Sequence, residues 1–276
     1  MTTISDVLLL NSNEYKNCKN YDEKFSKLAN TLLNKTVLLI KNTCFRLREI
    51  EIYLYTDDHN DNYTHKSIEQ ADPCQWYFHK TGSSYKGGTY KGLDITFGKA
   101  EGYGDTYGGI LIRGISCDDN LVTGSCKVVD YILKATDSET VKDLVDKLGK
   151  SVRDVSKVSP LYLKLSDDLN KFNIYTSPRV GLSFKYWHYA VKNYRYLTYK
   201  IKDIEKYKPS ILVNLVNSGK SIEEVAEESG TKVQQIKKYV DLYKSGQEMG
   251  GDFIQFLKPG ATDIVRLSGF INKQNN

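Results

Sequence analysis

FRLREIEIYLY, residues 45–55, alternates its side chains between two faces, and this period of two predicts a β-strand. One face combines two carboxylates with aromatic and apolar groups: Phe45, Leu47, Glu49, Glu51, Tyr53 and Tyr55. The opposite face carries Arg46, Arg48, Ile50, Ile52 and Leu54. The carboxylates either line a cleft or form the solvated face of an edge strand, and the stretch alone leaves both interpretations open.

The segments around this strand predict an α+β domain. Phe25, Leu28 and Leu32 are spaced as on a helix at 22–34, and TVLLI at 36–40 indicates a buried strand. The other expected elements are strands at 108–115 and 193–200, helices at 123–134 and about 137–149, short helical turns within 158–175, and a loop leading into a strand at 176–184. The expected fold class is therefore α+β, an antiparallel or mixed curved sheet with flanking helices, plus a small all-α C-terminal module.

Arg113 lies inside ILIRGI, residues 110–115, which is otherwise an apolar strand. An arginine in such a strand usually has a buried carboxylate partner. The two candidates for that partner are Glu51 and Glu49.

The composition is that of a globular protein, with 276 residues, 40% hydrophobic and 26% charged. No apolar run is long enough to span a membrane, and the first residues lack the basic region of a secretion signal. The five cysteines, an odd number without a C-x-x-C pair, argue against a disulfide framework and a thiolate zinc site. We therefore expect a reducing compartment, nucleus or cytosol. The net charge of +5 permits a polyanionic partner without proving one.

The lysine-rich stretch IKDIEKYKPS, residues 201–210, predicts a boundary between domains 1–202 and 203–276. From Pro209 onward we expect three short helices and a tail. SIEEVAEESGTKVQQIKKY, residues 221–239, has helix-turn-helix spacing, with a small residue at Ala226 and a turn at Gly230. Its second helix would contact DNA through Lys232, Gln235 and Lys237. The alternative is a helical subdomain that only packs.

Several short segments occur in a fixed order along the chain. They are LANTLLN (28–34), EIEIYL (49–54), YFHKTG (77–82), ILIRG (110–114), LVTGSCKV (121–128), RVGL (179–182) followed by Trp187, and KNYRY (192–196). In this order they resemble the alkylpurine (methyladenine) DNA glycosylase family over about residues 25–197. The resemblance implies a glycosylase-like fold for the first domain.

The resemblance also implies a chemistry, because enzymes of this kind rotate the target nucleotide out of the duplex before acting on it. Glu51 would be the general base that activates water, and Arg113 would hold the water or the carboxylate. Tyr53 and His65 would form the two sides of the base pocket, with His59 as the alternative histidine. The nucleophile would be water, so no lyase step, metal or small-molecule cofactor is expected.

The segment SSYKGGTYKG, residues 83–92, departs from the family's hairpin. Tyr85 and Tyr90 match its first and last tyrosines, so Tyr85 would line the base pocket and Tyr90 would be the intercalating wedge. Gly87 stands where the family has a tyrosine that stacks on the flipped base. Asp94 stands where the family has a pocket asparagine, and an acceptor-only carboxylate would change which base edge is read.

Four further cations are expected to contact DNA: Lys86, Lys91, Lys127 and Arg179. The resemblance thus predicts a DNA glycosylase for alkylated or deaminated purines in base excision repair. Its partner would be double-stranded DNA and not a membrane, and we expect a monomer. The alternatives are a DNA-binding protein that has lost or altered catalysis on the same fold, and a hydrolase for another nucleoside or RNA.

Overall fold

A computed structural model of the chain describes residues 3–14, 20–99, 106–148, 159–250, 254 and 257–274, with the backbone alone at 10–14. The chain divides into two compact units, unit 1 (Met1–Ile174) and unit 2 (Tyr175–Asn276). The boundary expected at 202/203 lies inside unit 2. Leu197 and Ile201 share a hydrophobic core with Ile211 and Val225, which ties both sides of that position together.

The described part of unit 1 contains helices α1 (Ile4–Glu14), α2 (Tyr21–Asn34), α3 (Ser125–Ala135) and α4 (Val141–Lys147). Its strands are β1 (Thr36–Ile40), β2 (Thr43–Tyr55), β3 (Trp76–Phe78), β4 (Lys80–Thr81), β5 (Ser84–Tyr85), β6 (Leu93–Thr96), β7 (Tyr107–Cys117), β8 (Asn120–Thr123) and β9 (Leu161–Leu165). The predicted helix at 22–34 and the strands at 36–40, 45–55 and 108–115 are confirmed to within two residues at each end.

All strand pairs of the unit 1 sheet are antiparallel, in the order β9-β1-β2-β7-β6-β3, with β8 pairing to the end of β7. Strands β4 and β5 form a separate hairpin. The central strand β2 pairs with β1 on one edge and with β7 on the other. The antiparallel sheet and flanking helices of the predicted α+β class are therefore present, as α2 packs on β2 and α3 on β7.

Helix α2 forms where the sequence provides both a cap and an apolar stripe. The Asn20 side chain accepts a hydrogen bond from the backbone N–H of Glu23 at 3.1 Å, which satisfies one free donor of the first turn. Phe25, Leu28 and Leu32 then lie buried on the side that faces the sheet. Such a helix gains most of its stability from this packing.

Three sequence-based expectations in the middle of the chain differ from the structure. Leu161 and Leu163 are buried in strand β9, where short helical turns were expected, because period-two alternation outweighs the polar residues that follow. The helix expected at about 137–149 is present as α4, but it begins only after its N-cap, Thr140. Residues 149 and 158, at the ends of these two segments, lie outside the described residues. The loop and strand expected at 176–184 occur in the reverse order, since a strand at Tyr175–Ser177 precedes the loop.

Unit 2 contains strands β10 (Tyr175–Ser177) and β11 (Arg195–Leu197), which pair antiparallel, and helices α5 (Trp187–Ala190), α6 (Lys208–Asn217), α7 (Ile222–Ser229), α8 (Val233–Glu248) and α9 (Ala261–Gln274). The expectation of three short helices and a tail was wrong in two respects. Helix α8 is 16 residues long, and part of the expected tail is helix α9, which packs on α8.

Helices α8 and α9 pack closely through two glycines. A Cβ atom on Gly246 would lie 2.0 Å from the carbonyl oxygen of Arg266, and one on Gly269 would lie 2.0 Å from that of Tyr243. Both distances are far below van der Waals contact. Only residues without a side chain permit this approach.

Candidate functional site

Glu51 stands at the centre of the unit 1 sheet, in a row of four residues that face each other across adjacent strands. Tyr77 on β3 is opposite Asp94 on β6, Asp94 is opposite Leu111 on β7, and Leu111 is opposite Glu51 on β2. Directly opposed residues of antiparallel strands point to the same face, so the two carboxylates share one face of the sheet. Their Cα atoms are separated by two strand spacings, roughly 10 Å.

The solvated-face interpretation of β2 was wrong. Glu51 has no exposed surface and Glu49 exposes 3%, and the four consecutive residues 49–52 are all buried, so both faces of this part of β2 are covered while β7 pairs along one of its edges. Two buried carboxylates need compensation from a cation or hydrogen-bond donors.

Arg113 provides that compensation for both carboxylates. Its Nε lies 2.8 Å from Glu49 Oε1 and 3.2 Å from Glu51 Oε1. The β2–β7 register shifts on each side of Glu49, a β-bulge that leaves Arg113 between paired positions. Burial lowers the pKa of Arg113, but the charges of Glu51 and Glu49 outweigh burial and raise the pKa above its ordinary value. The guanidinium therefore stays charged beside both carboxylates.

Tyr53 holds the second oxygen of Glu51. The phenol OH of Tyr53, two residues along the same face of β2, donates a hydrogen bond to Glu51 Oε2 at 2.8 Å. With Arg113 at Oε1, each oxygen of the carboxylate has a partner within unit 1. The carboxylate is thereby fixed in orientation, and the half-buried Tyr53 ring stands beside it.

Asp94 lies in a second hydrogen-bonded cluster on the same sheet row. Its Oδ1 accepts from His79 Nε2 at 2.8 Å, and its Oδ2 accepts from Gln70 Nε2 at 3.2 Å. Gly109 allows the second bond, since a Cβ there would lie 2.6 Å from both Asp94 Oδ2 and Gln70 Nε2. His79 and Gln70 were not predicted as site residues.

His65 joins this second cluster at its outer side. Its Nδ1 lies 3.2 Å from the Tyr77 hydroxyl, and its ring packs edge-on against His79 at 4.4 Å between centroids. Desolvation of the ring, together with the charge of His79, lowers the pKa of His65 to about 4, so the imidazole is neutral at neutral pH. His59, the alternative histidine, is a core residue, since it is buried, packs on Tyr21 and bonds to the Leu54 carbonyl.

The chain matches no family model. It is 32% identical over 217 residues to the uncharacterized protein L759 of Acanthamoeba polyphaga mimivirus, in a match that covers 74% of this chain and 98% of the viral protein. The chain belongs to the L759 family. The name of the relative states no activity, so the site of this family member must be interpreted from its own geometry.

In this member of the L759 family, the two tyrosines of the hairpin segment have different surroundings. Tyr85 packs edge-on against Phe78, whose side chain is on the sheet face opposite that of Tyr77 and Asp94. Its placement in the base pocket with Asp94 is therefore corrected. Tyr90, the expected wedge, is 77% exposed on a 3-10 turn at Gly88–Tyr90.

The residues expected to contact DNA differ in their surroundings. Lys127, Lys232 and Lys237 are exposed, and Lys86 and Gln235 are partly exposed. Lys91 is ion-paired with Asp130 on α3 and only 18% of its side chain is exposed. Arg179 is fully buried and donates to the Tyr189 carbonyl at 3.1 Å, so its expected role as a surface phosphate contact is corrected.

The helix-turn-helix segment corresponds to α7 and α8. Gly230 ends α7 in the left-handed conformation, with φ +62°, and Val225 and Ile236 are buried in the unit 2 core. The outward face of α8 borders a shallow groove of about 480 Å³, lined by Gln234, Lys237, Lys238, Asp241, Leu242 and Ser245.

The described ranges of the chain contain neither a cluster of metal-binding side chains nor a membrane-spanning helix. Within those ranges no group of three His, Cys, Asp or Glu side chains is arranged to hold a metal ion. No helix in the same ranges is long and apolar enough to cross a membrane. The four cysteines described there are free, namely Cys44, Cys74, Cys117 and Cys126; Cys18 lies outside the described residues.

Proposed function

We propose that this chain is a monofunctional DNA glycosylase that flips and hydrolytically removes alkylated or deaminated purines from double-stranded DNA. The observation that carries the proposal is the Glu51 carboxylate. It is fully buried, and its two oxygens are held by Arg113 at 3.2 Å and by Tyr53 at 2.8 Å. A general base must first lie in the right position relative to the proton it accepts, and its pKa decides its efficiency only after that. A buried carboxylate whose two oxygens are both held in place suits this role.

In the proposed reaction, Glu51 accepts a proton from a water molecule as the water oxygen bonds to C1′ of the deoxyribose. The glycosidic C–N bond breaks, and its electron pair leaves with the purine. Arg113 stays charged throughout, because the carboxylates raise its pKa. It therefore keeps Glu51 oriented while the proton moves. Tyr53 provides one aromatic face for the flipped base. The neutral His65, which lies beside Tyr77 and His79 in the Asp94 cluster, forms the second side of the base pocket.

Asp94 would make the base pocket unlike that of the glycosylases which the sequence resembles. Both of its oxygens already accept hydrogen bonds, from His79 and from Gln70. A carboxylate has further lone pairs but no donor. Asp94 therefore favours purines whose edge facing it carries a hydrogen-bond donor over purines whose edge there carries only acceptors.

The second candidate is a DNA-binding protein on the same fold with altered catalysis. Glu51 has no exposed surface, so water reaches it only after the pocket opens. Gly87 also leaves the position of the stacking aromatic without a side chain. Either feature suffices to reduce or redirect excision while DNA binding remains.

The test uses duplex oligonucleotides that each carry one hypoxanthine, ethenoadenine or methylated purine, followed by hot alkali to reveal abasic sites. We expect cleavage by the wild type, none by Glu51→Gln, and equal gel-shift affinity for both. Glu49→Gln is the matched control, since it changes the other carboxylate beside Arg113 and should retain measurable excision. Duplex binding without cleavage of any lesion would favour the second candidate instead.

A further inference from the structure

The exposed Tyr90 ring stands on a segment that cannot hold it in place alone. Residues 87–91, here called the wedge loop, contain one 3-10 turn with a single internal backbone bond, from Tyr90 N to Gly87 O at 3.2 Å. Gly88 adopts a left-handed conformation there, with φ +55°. An exposed aromatic on such a short turn needs anchors outside it to keep one direction.

The first anchor is His79, at both ends of the wedge loop. The His79 carbonyl accepts from Lys86 N at 2.8 Å, and His79 N donates to the Gly92 carbonyl at 3.0 Å. Gly92 lies directly against the imidazole, since a Cβ there would be 2.5 Å from the His79 ring. The loop ends are therefore fixed to His79, which directly follows β3, the strand that carries Tyr77.

The second anchor is helix α3, which contacts the middle of the loop. Cys126 Sγ lies 3.0 Å from the Gly88 carbonyl oxygen, and the Lys91 ammonium is paired with the Asp130 carboxylate. Cys126 and Asp130 are four residues apart, so they stand one above the other on the same face of α3. The opposite face of α3 is buried against the core, so the helix is a rigid support for the wedge loop.

The charge states of these groups fit the contacts. The hydrogen bond with Asp130 raises the pKa of Lys91, and the same bond with Lys91 lowers the pKa of Asp130. Burial raises the pKa of the Cys126 thiol, which keeps its proton available for donation. The ion pair therefore stays charged on both sides over the whole neutral range.

We propose that Asp130, with Cys126, is a positioning residue that holds the wedge loop through Lys91, so that Tyr90 keeps the direction in which it enters the duplex. This inference rests on the proposed function, and it assigns Lys91 to the protein's own structure instead of to DNA phosphate. A displaced wedge would leave duplex binding intact but would lower the fraction of bound complexes with a flipped base.

The test compares wild type with Asp130→Asn, which removes the charge and keeps the side-chain size. We expect faster amide hydrogen exchange in peptides covering 86–92, a single-turnover excision rate about tenfold lower, and an unchanged duplex Kd. Asp137→Asn is the matched control, because Asp137 forms an exposed pair with Lys41 and asparagine tolerates its left-handed backbone. This control should match wild type in all three measurements.

A charge-swapped protein, Lys91→Glu with Asp130→Lys, separates the two roles of Lys91. If the ion pair holds the loop, the swap restores slow exchange and most of the excision rate. If Lys91 contacts phosphate, the swap weakens duplex binding and restores neither the slow exchange nor the excision rate, and the proposal is overturned. An Asp130→Asn protein that behaves like the wild type would overturn it as well. Where wild type excises no lesion the proposed function fails, and the exchange rates alone still decide whether the loop is held.

Discussion

At the scale of single residues, Arg113 has the largest predicted effect on stability. It faces two carboxylates that are almost completely buried. Arg113→Met keeps the apolar length of the side chain but removes the charge, and breaking a buried pair in this way costs about 3–5 kcal/mol. We expect that loss in the free energy of unfolding at pH 7, measured in urea. A loss below about 1 kcal/mol would show that other groups compensate the carboxylates.

Lys142→Gln is the comparison for this measurement. Lys142 forms a pair with Asp146 on α4, and 72% and 60% of the two side chains are exposed. Exposed pairs of this kind contribute little, because water and salt screen them. The unfolding midpoint of Lys142→Gln should therefore equal that of the wild type.

The residues of the candidate site were predictable to different degrees. An arginine inside an apolar strand pointed to Glu49 or Glu51, and the structure pairs it with both. The cluster of Asp94 with His79 and Gln70 had no local signal, since His79 and Gln70 are 15 and 24 positions away from Asp94 and reach it from the end of β3 and from a 3-10 helix at Ile68–Ala71. Sequence patterns reveal periodicity within one strand, but they do not give register between strands.

At the scale of elements, the crossing of α8 and α9 gives a sharp prediction. Gly246→Ala and Gly269→Ala each place a methyl group 2.0 Å from a backbone carbonyl of the other helix. Because backbone cannot turn aside as a side chain can, the helices must separate. We expect a loss of at least about 2 kcal/mol in the free energy of unfolding for each variant. Gly250→Ala, where no atom lies within 4 Å of the added Cβ, should be close to neutral.

Helix α9 was predictable in principle from its own spacing. Ile264, Leu267 and Ile271 recur at helical intervals and are all buried. The strongly periodic elements, such as β2 and β7, were predicted to within two residues. Short strands such as β10 have too few residues for any period to show. The position of such a short strand is decided by the strand with which it pairs, which for β10 is β11.

At the scale of the whole molecule, the boundary expected at 202/203 followed a change in composition, whereas the units follow the packing of cores. The lysine-rich stretch at 201–210 has the composition of a linker, yet its Ile201 and Ile204 are buried among the unit 2 helices, as is Leu197 just before it. Composition reports what is exposed along a segment. It does not report which few apolar residues anchor that segment.

In the proposed function unit 1 carries the chemistry, and the sequence predicts that the outward face of α8 contacts the duplex and adds affinity. We expect the triple change of Lys232, Lys237 and Lys238 to Gln to weaken duplex binding at low salt. If all three lysines contact phosphate, the slope of log Kd against log salt should fall by about 3, since each lost contact removes about 0.9. The single-turnover excision rate at saturating protein should not change.

Lys41, Lys164 and Lys171, all exposed in unit 1, provide a control with the same loss of charge. If their change to Gln lowers the slope equally, the effect comes from net charge and α8 makes no specific contact. If the α8 variant keeps the wild-type slope, the helix-turn-helix only packs. A lower excision rate at saturating protein in the α8 variant alone would contradict the separation of chemistry in unit 1 from binding by α8. Affinity and chemistry would then depend on the same contacts.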